Sequence, residues 1–429
     1  MSLELQNSSS IIPHDVVQSR VERLGYPSKS AAPIPLDRLL LLQGTSLGVR
    51  RQVDHLLALA NRGLPRMHKD RVFGHTLRAV KTKAGEVEQL QGRSLRYSAM
   101  VALGLSCLSE TVQRQILGGA SASELAEITA MDAAVSNDLG AVALAAWAAA
   151  EVASVHAVPL FRRIAERMAS DTPCATVECA WALIAALASR EFGDTEDVVT
   201  LATTRLMVGR APSGLFTHTL PPSAGGYMRA HIGCFADQVY PIQALARLYM
   251  ARGGDDVLSA AEACAERICA LQGPAGQWWW HYDTREGTVV EGYPVYSVHQ
   301  HAMGPMALLE LREAGGTDYT SAIIKGLGWL NEHPETPTSL VCFEKGVIWR
   351  KVARREPGKL SRILSAATTG LVRGWKLPGL DTLFPPGKID YECRPYELGW
   401  LLYAWLSGGA IAALAAESKS ENQRLLREV

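Results

Sequence analysis

The sequence predicts an all-α fold in which six apolar helices form an inner ring and more amphipathic helices lie outside them. A polar or aromatic opening followed by an apolar, small-residue-rich run recurs six times, as in the run from Trp400 to Ala404. These runs carry almost no charge beyond their first turn, so each helix should be buried on all sides. Strand-like alternation is sparse, which leaves room for minor β-hairpins in loops, at 287–290 and 341–350.

The predicted elements alternate between inner and outer helices. A first helix is clear from Leu47 to Asn61, and Gly63 and Pro65 end it. The inner helices are expected at 94–107, 137–151, 176–189, 236–251, 297–313 and 395–406. Segments with charge on one face and apolar residues on the other predict outer helices at 159–168, 196–207, 257–271 and 319–331.

The 429 residues are expected to form one large domain with a short segment at each end. A helical repeat architecture can reach this length as a single unit, so residues 36–415 are assigned to the ring. Residues 1–35 are polar and contain four prolines, which predicts an irregular N-terminal lead. Residues 416–429 are charged and are expected to be a frayed tail.

Composition argues against several classes of function. Basic and acidic residues number 43 each, so the net charge is zero and nucleic-acid binding is not expected. The chain has no charge-free stretch of about 18 apolar residues, so no integral membrane segment is predicted. Residues 1–13 lack the pattern of a signal peptide. The eight cysteines form no CxxC pair, which predicts reduced, mostly buried thiols in a cytoplasmic protein.

No cofactor and no metal site are predicted. The sequence contains neither a phosphate-binding loop nor the nucleophile elbow of an α/β-hydrolase. His299 and His301 are two residues apart, and on a helix that spacing directs the two side chains away from a single metal. The oligomeric state is left open.

The polar openings of the inner helices predict where the chemistry lies. Helices joined as inner–outer pairs all run the same way within the inner layer, so their first turns meet at one mouth of the ring. Free N–H groups and aligned helix dipoles make that mouth electropositive. The openings include Arg96, Asn137 with Asp138, and Glu178. The alternative for any one opening is simple N-capping, which Asn137 or Asp138 would do well.

Acid–base chemistry at this mouth would need carboxylates or histidines with shifted pKa values. The catalytic candidates are Asp237, Glu178, His299 and Glu397. Asp237 and Glu178 lie among apolar residues, and burial would raise the pKa of a carboxyl group as a general acid requires. The alternative for each is a buried carboxylate tied to an arginine or to the backbone.

Substrate contacts are expected from the aromatic segment 272–306 and from the helix openings. Aromatic rings stack on sugar faces, and arginine or amide side chains orient a polar substrate. The binding candidates are Arg96, Gln238, Trp279, Trp280, His281, Tyr282, Tyr293, Tyr296, Gln300, Arg394 and Tyr396.

The pattern over roughly residues 90–410 resembles the (α/α)6-toroid superfamily. Its carbohydrate-active branch, which includes unsaturated glucuronyl hydrolases, polysaccharide lyases and glucuronyl epimerases, has sites lined by Trp, Tyr, His, Arg and carboxylates at one end of the ring. The resemblance implies an oligosaccharide or glycan substrate, and glycans that contain uronic acid are among the substrates of this branch. The implied reaction is acid–base glycosidic cleavage, or proton abstraction by a lyase or epimerase.

Two other functions stay open at this point. Gln272, Gly276 and Trp278 fit one QxxxGxW repeat of triterpene cyclases, which makes a terpenoid or prenyl-chain enzyme of the toroid type an alternative. That motif occurs once, the DxDD and DDxxD motifs are absent, and aromatic content is 7%. The third hypothesis is a non-catalytic helical scaffold that binds a partner in the ring.

Overall fold

The computed structural model describes residues 37–83 and 85–415. Twelve helices in this part alternate between an outer position, with odd labels, and an inner position, with even labels. They are α1 Leu47–Gly63, α2 Leu95–Leu105, α3 Ala122–Ala133, α4 Leu139–Ala153, α5 Val158–Ala169, α6 Thr176–Ser189, α7 Glu196–Gly209, α8 Ala236–Arg252, α9 Asp255–Ala270, α10 Gly304–Glu313, α11 Thr320–Trp329 and α12 Pro395–Leu406. Each inner helix packs on the next, and α12 packs on α2 to close the ring. The fold is the predicted (α/α)6 toroid.

All six inner helices were predicted within a few residues of their observed bounds. The exception in shape is the fifth, where a π-helical turn at His299–Met303 precedes α10. The outer helix α3 was not predicted. Its buried face consists mainly of alanine and threonine and its exposed face includes Met131, so its sequence lacks the contrast that marks an amphipathic helix.

Six further helices and fifteen strands of the described residues lie before or between the ring helices. The helices lie at Arg38–Thr45, Leu64–Met67, Glu110–Leu117, Pro222–Gly225, Leu360–Leu371 and Leu380–Leu383. The strands lie at His68–Lys69, Val72–Phe73, Thr76–Thr82, Gly85–Gln91, Cys174–Ala175, Thr219–Leu220, Ile232–Cys234, His281–Asp283, Thr288–Glu291, Val295–Tyr296, Val341–Cys342, Val347–Ile348, Lys351–Arg354, Pro386–Asp390 and Glu392–Cys393. Both predicted hairpins are present: 281–283 pairs with 288–291, and 341–342 pairs with 347–348.

The strands position the first turns of the inner helices. Ile232–Cys234 leads directly into α8, Val295–Tyr296 precedes the π-helical turn, and Glu392–Cys393 precedes α12. The longest hairpin, Thr76–Thr82 with Gly85–Gln91, also pairs with Glu392–Cys393 and so joins the approaches to α2 and α12. Its second strand is mostly exposed, and without an apolar alternation the sequence did not reveal it.

Buried charge stabilises the opposite end of the inner ring. Arg247 of α8 donates to Glu310 of α10 from Nε at 2.7 Å and to Glu151 of α4 from Nη1 at 2.9 Å. Burial opposes the charge of Arg247, but its carboxylate partners outweigh burial and raise its pKa. Three inner helices are therefore tied together at this end by one buried cation.

The structure bears on only some of the remaining predictions, which concern the two ends of the chain, membrane segments and the cysteines. The predicted lead at 1–35 and tail at 416–429 lie outside the described residues. Across 37–83 and 85–415, every helix is too short or too polar to cross a membrane. All eight cysteines are free thiols, and six of them are buried.

Candidate functional site

Contacts between neighbouring inner helices join distant parts of the chain at their N-terminal ends. Arg96, in the first turn of α2, donates from Nε to Oδ2 of Asp138 at 2.7 Å and from Nη2 to its other oxygen. The same guanidinium donates from Nη2 to Oε1 of Glu178, in the first turn of α6, at 2.7 Å. One arginine therefore holds two carboxylates from adjacent inner helices.

Both of these carboxylates reach solvent. The side chain of Asp138 is 43% exposed and that of Glu178 is 17% exposed, and both line a pocket of about 470 Å³. Asp138 also caps α4, because its Oδ1 accepts hydrogen bonds from the backbone N–H groups of Gly140 and Ala141. Partial burial would raise the pKa of Asp138, but the hydrogen bonds and charge of Arg96 outweigh it and lower that pKa. Asp138 is thus held ionised beside Glu178.

The first turn of α8 holds a histidine–aspartate pair. Nδ1 of His218 lies 2.9 Å from Oδ2 and 3.2 Å from Oδ1 of Asp237. The backbone N–H of Cys234 donates to Oδ2 of Asp237 at 2.7 Å. Asp237 is fully buried, whereas the side chain of His218 is 49% exposed. His218, and not Asp237, therefore presents this pair to solvent.

Aromatic rings cover the start of the fifth inner helix. The ring of His299 stacks on Trp280, with centroids 5.8 Å apart and an interplanar angle of 9°, and Tyr296 lies 5.0 Å away. Burial lowers the pKa of His299 to about 3, and burial likewise lowers the pKa of His281 to about 3. Both imidazoles are therefore neutral near pH 7 and add no charge to this region.

The start of α12 combines two arginines with a buried acid. Arg394 donates to the hydroxyl of Tyr97 at 2.8 Å and to Glu392 at 3.2 Å. Glu397 is fully buried, and burial raises its pKa to about 7 although Arg350 and Arg394 oppose that shift. Oε1 of Glu397 lies 3.8 Å from Nε of Arg350, which is too far for a hydrogen bond. Glu397 is therefore an acid beneath the surface of the mouth.

Cationic, aromatic and unpaired polar groups share this region. The guanidinium of Arg350 lies 5.0 Å from the centroid of the Tyr296 ring, and the rings of Tyr97 and Tyr396 are 4.7 Å apart. The buried polar atoms here that lack a hydrogen-bond partner within the described residues are Trp181 Nε1, Trp280 Nε1, His281 Nδ1, His299 Nδ1, Arg350 Nε and Glu397 Oε1. Buried polar atoms are normally paired, so this arrangement suits a polar ligand.

Two predicted wall residues lie in a different pocket from the carboxylates. The rings of Trp279 and Tyr293 meet edge to face, with centroids 5.9 Å apart. They line a cavity of about 460 Å³ together with Glu291 and Arg354, which pair with each other at 3.0 Å. The structure therefore separates Trp279 and Tyr293 from the neighbouring Trp280.

Three more predicted binding residues are internal. The side chain of Gln238 bonds the backbone N–H and C=O of Phe216, and Gln300 accepts a hydrogen bond from the backbone N–H of Trp278. Tyr282 is fully buried. These side chains brace the loops that carry the mouth, and they present no surface to a ligand in this structure.

The stretch that resembles a triterpene-cyclase repeat also has a bracing role. The side-chain amide of Gln272 donates to the backbone oxygens of Gly276 and Ala322, at 3.0 and 2.9 Å. These bonds tie the loop after α9 to α11, and Trp278 is fully buried beside them. Packing therefore accounts for this stretch.

Several site residues were missed in the sequence. Asp138 was included among the polar helix openings, with capping as the alternative. It does cap α4, but its position beside Glu178 depends on Arg96. His218 and Arg350 lie in loops, where no helical periodicity marks them. The sequence signal that could have identified His218 and Arg350 was their position, because each belongs to a connection that leads into an inner helix.

Comparison with known proteins identifies the architecture. No protein-family model matches the chain, and no curated protein matches it. An unsaturated glucuronyl hydrolase specific for heparin aligns with a TM-score of 0.53 at 11% identity, over 87% of this chain and 98% of that one. The chain has the fold of the unsaturated glucuronyl hydrolases.

Two further structures agree with this assignment of the fold. The unsaturated glucuronyl hydrolase from Bacillus sp. GL1 aligns with a TM-score of 0.54 at 12% identity, over 85% of this chain and 98% of that one. A protein from Klebsiella pneumoniae subsp. pneumoniae, described as a possible member of the GH105 family, aligns with a TM-score of 0.51 at 10% identity. That alignment covers 91% of this chain and all of the other. The likeness to glucuronyl hydrolases extends over nearly the whole toroid.

Proposed function

We propose that this chain is a carbohydrate-active enzyme that hydrolyses a glycosidic bond beside a uronic acid unit of an oligosaccharide. The observation that carries the proposal is the clamp formed by Arg96, which holds Asp138 and Glu178 together at the edge of a pocket. Glycoside hydrolysis generally uses two such carboxyl groups, one as proton donor and one as base or nucleophile.

The two carboxyl groups have different roles in this proposal. Glu178 donates a proton to the glycosidic oxygen as the bond from that oxygen to the anomeric carbon breaks. Asp138, which Arg96 keeps ionised, attacks the anomeric carbon as that bond breaks, because two carboxylates held by one Nη2 atom are too close to admit a water molecule between them and the sugar. Water then gives its proton to the deprotonated Glu178 and displaces Asp138 from the anomeric carbon. Asp237, predicted as an acid–base residue, is fully buried and already bonded to His218 and Cys234. The roles therefore go to the pair that reaches solvent.

The charge of the mouth supports an anionic sugar. Arg96, Arg350 and Arg394 surround the starts of α2 and α12, and guanidinium groups bind carboxylates by charge-assisted hydrogen bonds. The rings of Tyr97 and Tyr396 offer a stacking surface for the sugar beside them. A uronic acid unit presents both of these features, a carboxylate and a sugar ring face.

The structural neighbours support the same substrate class. One is an unsaturated glucuronyl hydrolase specific for heparin, and another is described as responsible for the degradation of glycosaminoglycan. We place the enzyme in the cytoplasm, because reducing conditions there keep free thiols such as its eight cysteines unpaired.

A panel of disaccharides tests the proposal. The purified chain is incubated with 4,5-unsaturated uronyl, saturated uronyl and neutral disaccharides, and the products are separated by chromatography. We expect a uronyl disaccharide to be split into its two sugars and the neutral ones to stay intact. A new carbon–carbon double bond would indicate a lyase, and an altered configuration without cleavage would indicate an epimerase. Either result, or no reaction, overturns the hydrolase proposal.

Two variants test the carboxylate pair. Glu178→Gln and Asp138→Asn should each lower kcat by on the order of 100- to 10,000-fold, the usual loss for an acid or base. Asp132→Asn, at an exposed position on α3, is the matched control and should retain full activity. Full activity in either test variant would remove that residue from the mechanism.

A further inference from the structure

Three side chains of different chemistry meet beside the first turn of α8. A ring nitrogen of His218, Sγ of Cys234 and a carboxylate oxygen of Asp237 all lie within 4.8 Å of one another. The separation of His218 Nδ1 from the two Asp237 oxygens, 2.9 and 3.2 Å, is close to the roughly 3.3 Å expected between two ligands of a tetrahedral zinc ion.

The backbone fixes all three side chains. Cys234 ends the strand Ile232–Cys234, and Asp237 follows in the first turn of α8. The backbone N–H of His218 donates to the oxygen of Ile232 at 3.0 Å, which holds its loop against that strand. The N–H of Cys234 also donates to Oδ2 of Asp237, the kind of outer hydrogen bond that orients a metal-binding carboxylate.

Burial gives the cluster an open side. Cys234 and Asp237 are buried, whereas half of the His218 side chain is exposed. A fourth ligand can therefore approach only from the side on which His218 reaches solvent. Three protein ligands with one position left for water or substrate are typical of catalytic zinc sites.

We propose that His218, Cys234 and Asp237 bind a zinc ion whose fourth position opens to the mouth of the ring. Imidazole, thiolate and carboxylate together suit Zn²⁺, whereas Mg²⁺ and Ca²⁺ prefer ligand sets made of oxygen alone. The spacing of the three residues, with fifteen residues between the first two and two between the last two, matches no zinc pattern in the sequence. The site appears only when the loop folds against α8.

The proposed ion lies near the carboxylate pair. Asp237 lies in the first turn of α8 and Glu178 in the first turn of α6, the inner helix that packs beside it. At the fourth position zinc polarises a bound oxygen atom or activates a bound water molecule. The metal site does not depend on the proposed hydrolysis, because it is defined by its ligands.

Metal binding is measured without any substrate. Chelator-treated protein is titrated with Zn²⁺ by calorimetry and, separately, with Co²⁺ under absorption spectroscopy. We expect one ion per chain and, for Co²⁺, a near-ultraviolet band from thiolate-to-metal charge transfer. His218→Ala and Asp237→Asn should weaken Zn²⁺ binding by on the order of 100-fold or more, and Cys234→Ser should abolish the charge-transfer band.

The control is Cys269→Ser, which removes another free thiol of the chain and should bind both metals as the parent does. Circular dichroism checks that each variant is folded. Failure of the parent to bind one ion, or retention of the charge-transfer band in folded Cys234→Ser, overturns the proposal. Either outcome leaves the disaccharide experiment unaffected, so the two proposals fail separately.

Discussion

At the scale of single residues, Arg96 shows how a neighbouring charge sets the protonation state of a carboxyl group. Asp138 accepts hydrogen bonds from the guanidinium of Arg96 and is half exposed, and this arginine lowers its pKa. Glu397 is fully buried with two arginines nearby, yet its pKa is raised because those arginines do not fully offset its burial. The sequence identified Glu397 and Glu178 as candidates but could not rank them, because exposure and pairing depend on loops distant in the chain.

Removal of Arg394 should weaken the binding of a uronyl substrate. Arg394→Met deletes one charge-assisted partner for the sugar carboxylate, so KM for a uronyl disaccharide should rise by about 10- to 100-fold. KM for the methyl ester of the same disaccharide should change much less, because the ester carries no charge. Arg252→Met, which removes an arginine at the end of α8 that pairs with Glu196, is the control. Equal effects on acid and ester would contradict a carboxylate-binding role.

Glu397 should make stability fall as the pH rises through the weakly acidic range. Its pKa is about 7 in the folded protein and 4.5 as a model value, so between these values the folded state holds more protons. Stability is therefore lost from about pH 4.5 to pH 7, by up to about 3 kcal/mol. Glu397→Gln should remove this part of the pH dependence, which urea unfolding at pH 5 and pH 8 would detect. An unchanged difference between the two pH values would contradict the account of Glu397.

At the scale of elements, glycine closes the ring. The backbones of α2 and α12 approach so closely at Gly104 that a Cβ atom there would overlap the carbonyl of Gly399. Apolar patterning predicted both helices, but the pairing of the first inner helix with the last could only be inferred from a repeat that completes a circle. Strands were harder to predict from the sequence. The exposed strand 85–91, for example, has no buried face and therefore no alternation of apolar and polar residues.

Because α2 and α12 approach closely at Gly104, a single methyl group added there should lower the stability of the protein. Gly104→Ala should destabilise the protein by about 1–3 kcal/mol, because backbone atoms must separate to admit it. Gly328→Ala is the control, since nothing lies within 4 Å of a Cβ there. Because Gly328 lies within the helix α11, the control substitution should be neutral or should stabilise the protein by roughly 0.5–1 kcal/mol. Urea midpoints of the two variants measure the contrast, and a similar midpoint shift in both would show that the contact of α2 with α12 is not tight.

At the scale of the whole molecule, the sequence was sufficient for the toroid and insufficient for the details of its mouth. Six apolar helices with uniform direction leave few arrangements other than a closed ring, so the meeting of their first turns at one mouth followed from topology. The side chains that meet there come from loops of unequal length. His218 and Arg350 illustrate this, because each reaches the mouth through strand pairing that leaves no periodic trace in the sequence.

The central claim is that the starts of the six inner helices form one site for a uronic acid sugar. A crystal structure of Glu178→Gln with a uronyl disaccharide tests it most directly, since the slowed variant should retain its substrate. The account predicts the sugar at the mouth, with its glycosidic oxygen beside residue 178 and its carboxylate on arginine side chains from α2 or the approach to α12. A sugar bound only in the separate cavity lined by Trp279 and Tyr293, with the mouth empty, would contradict it.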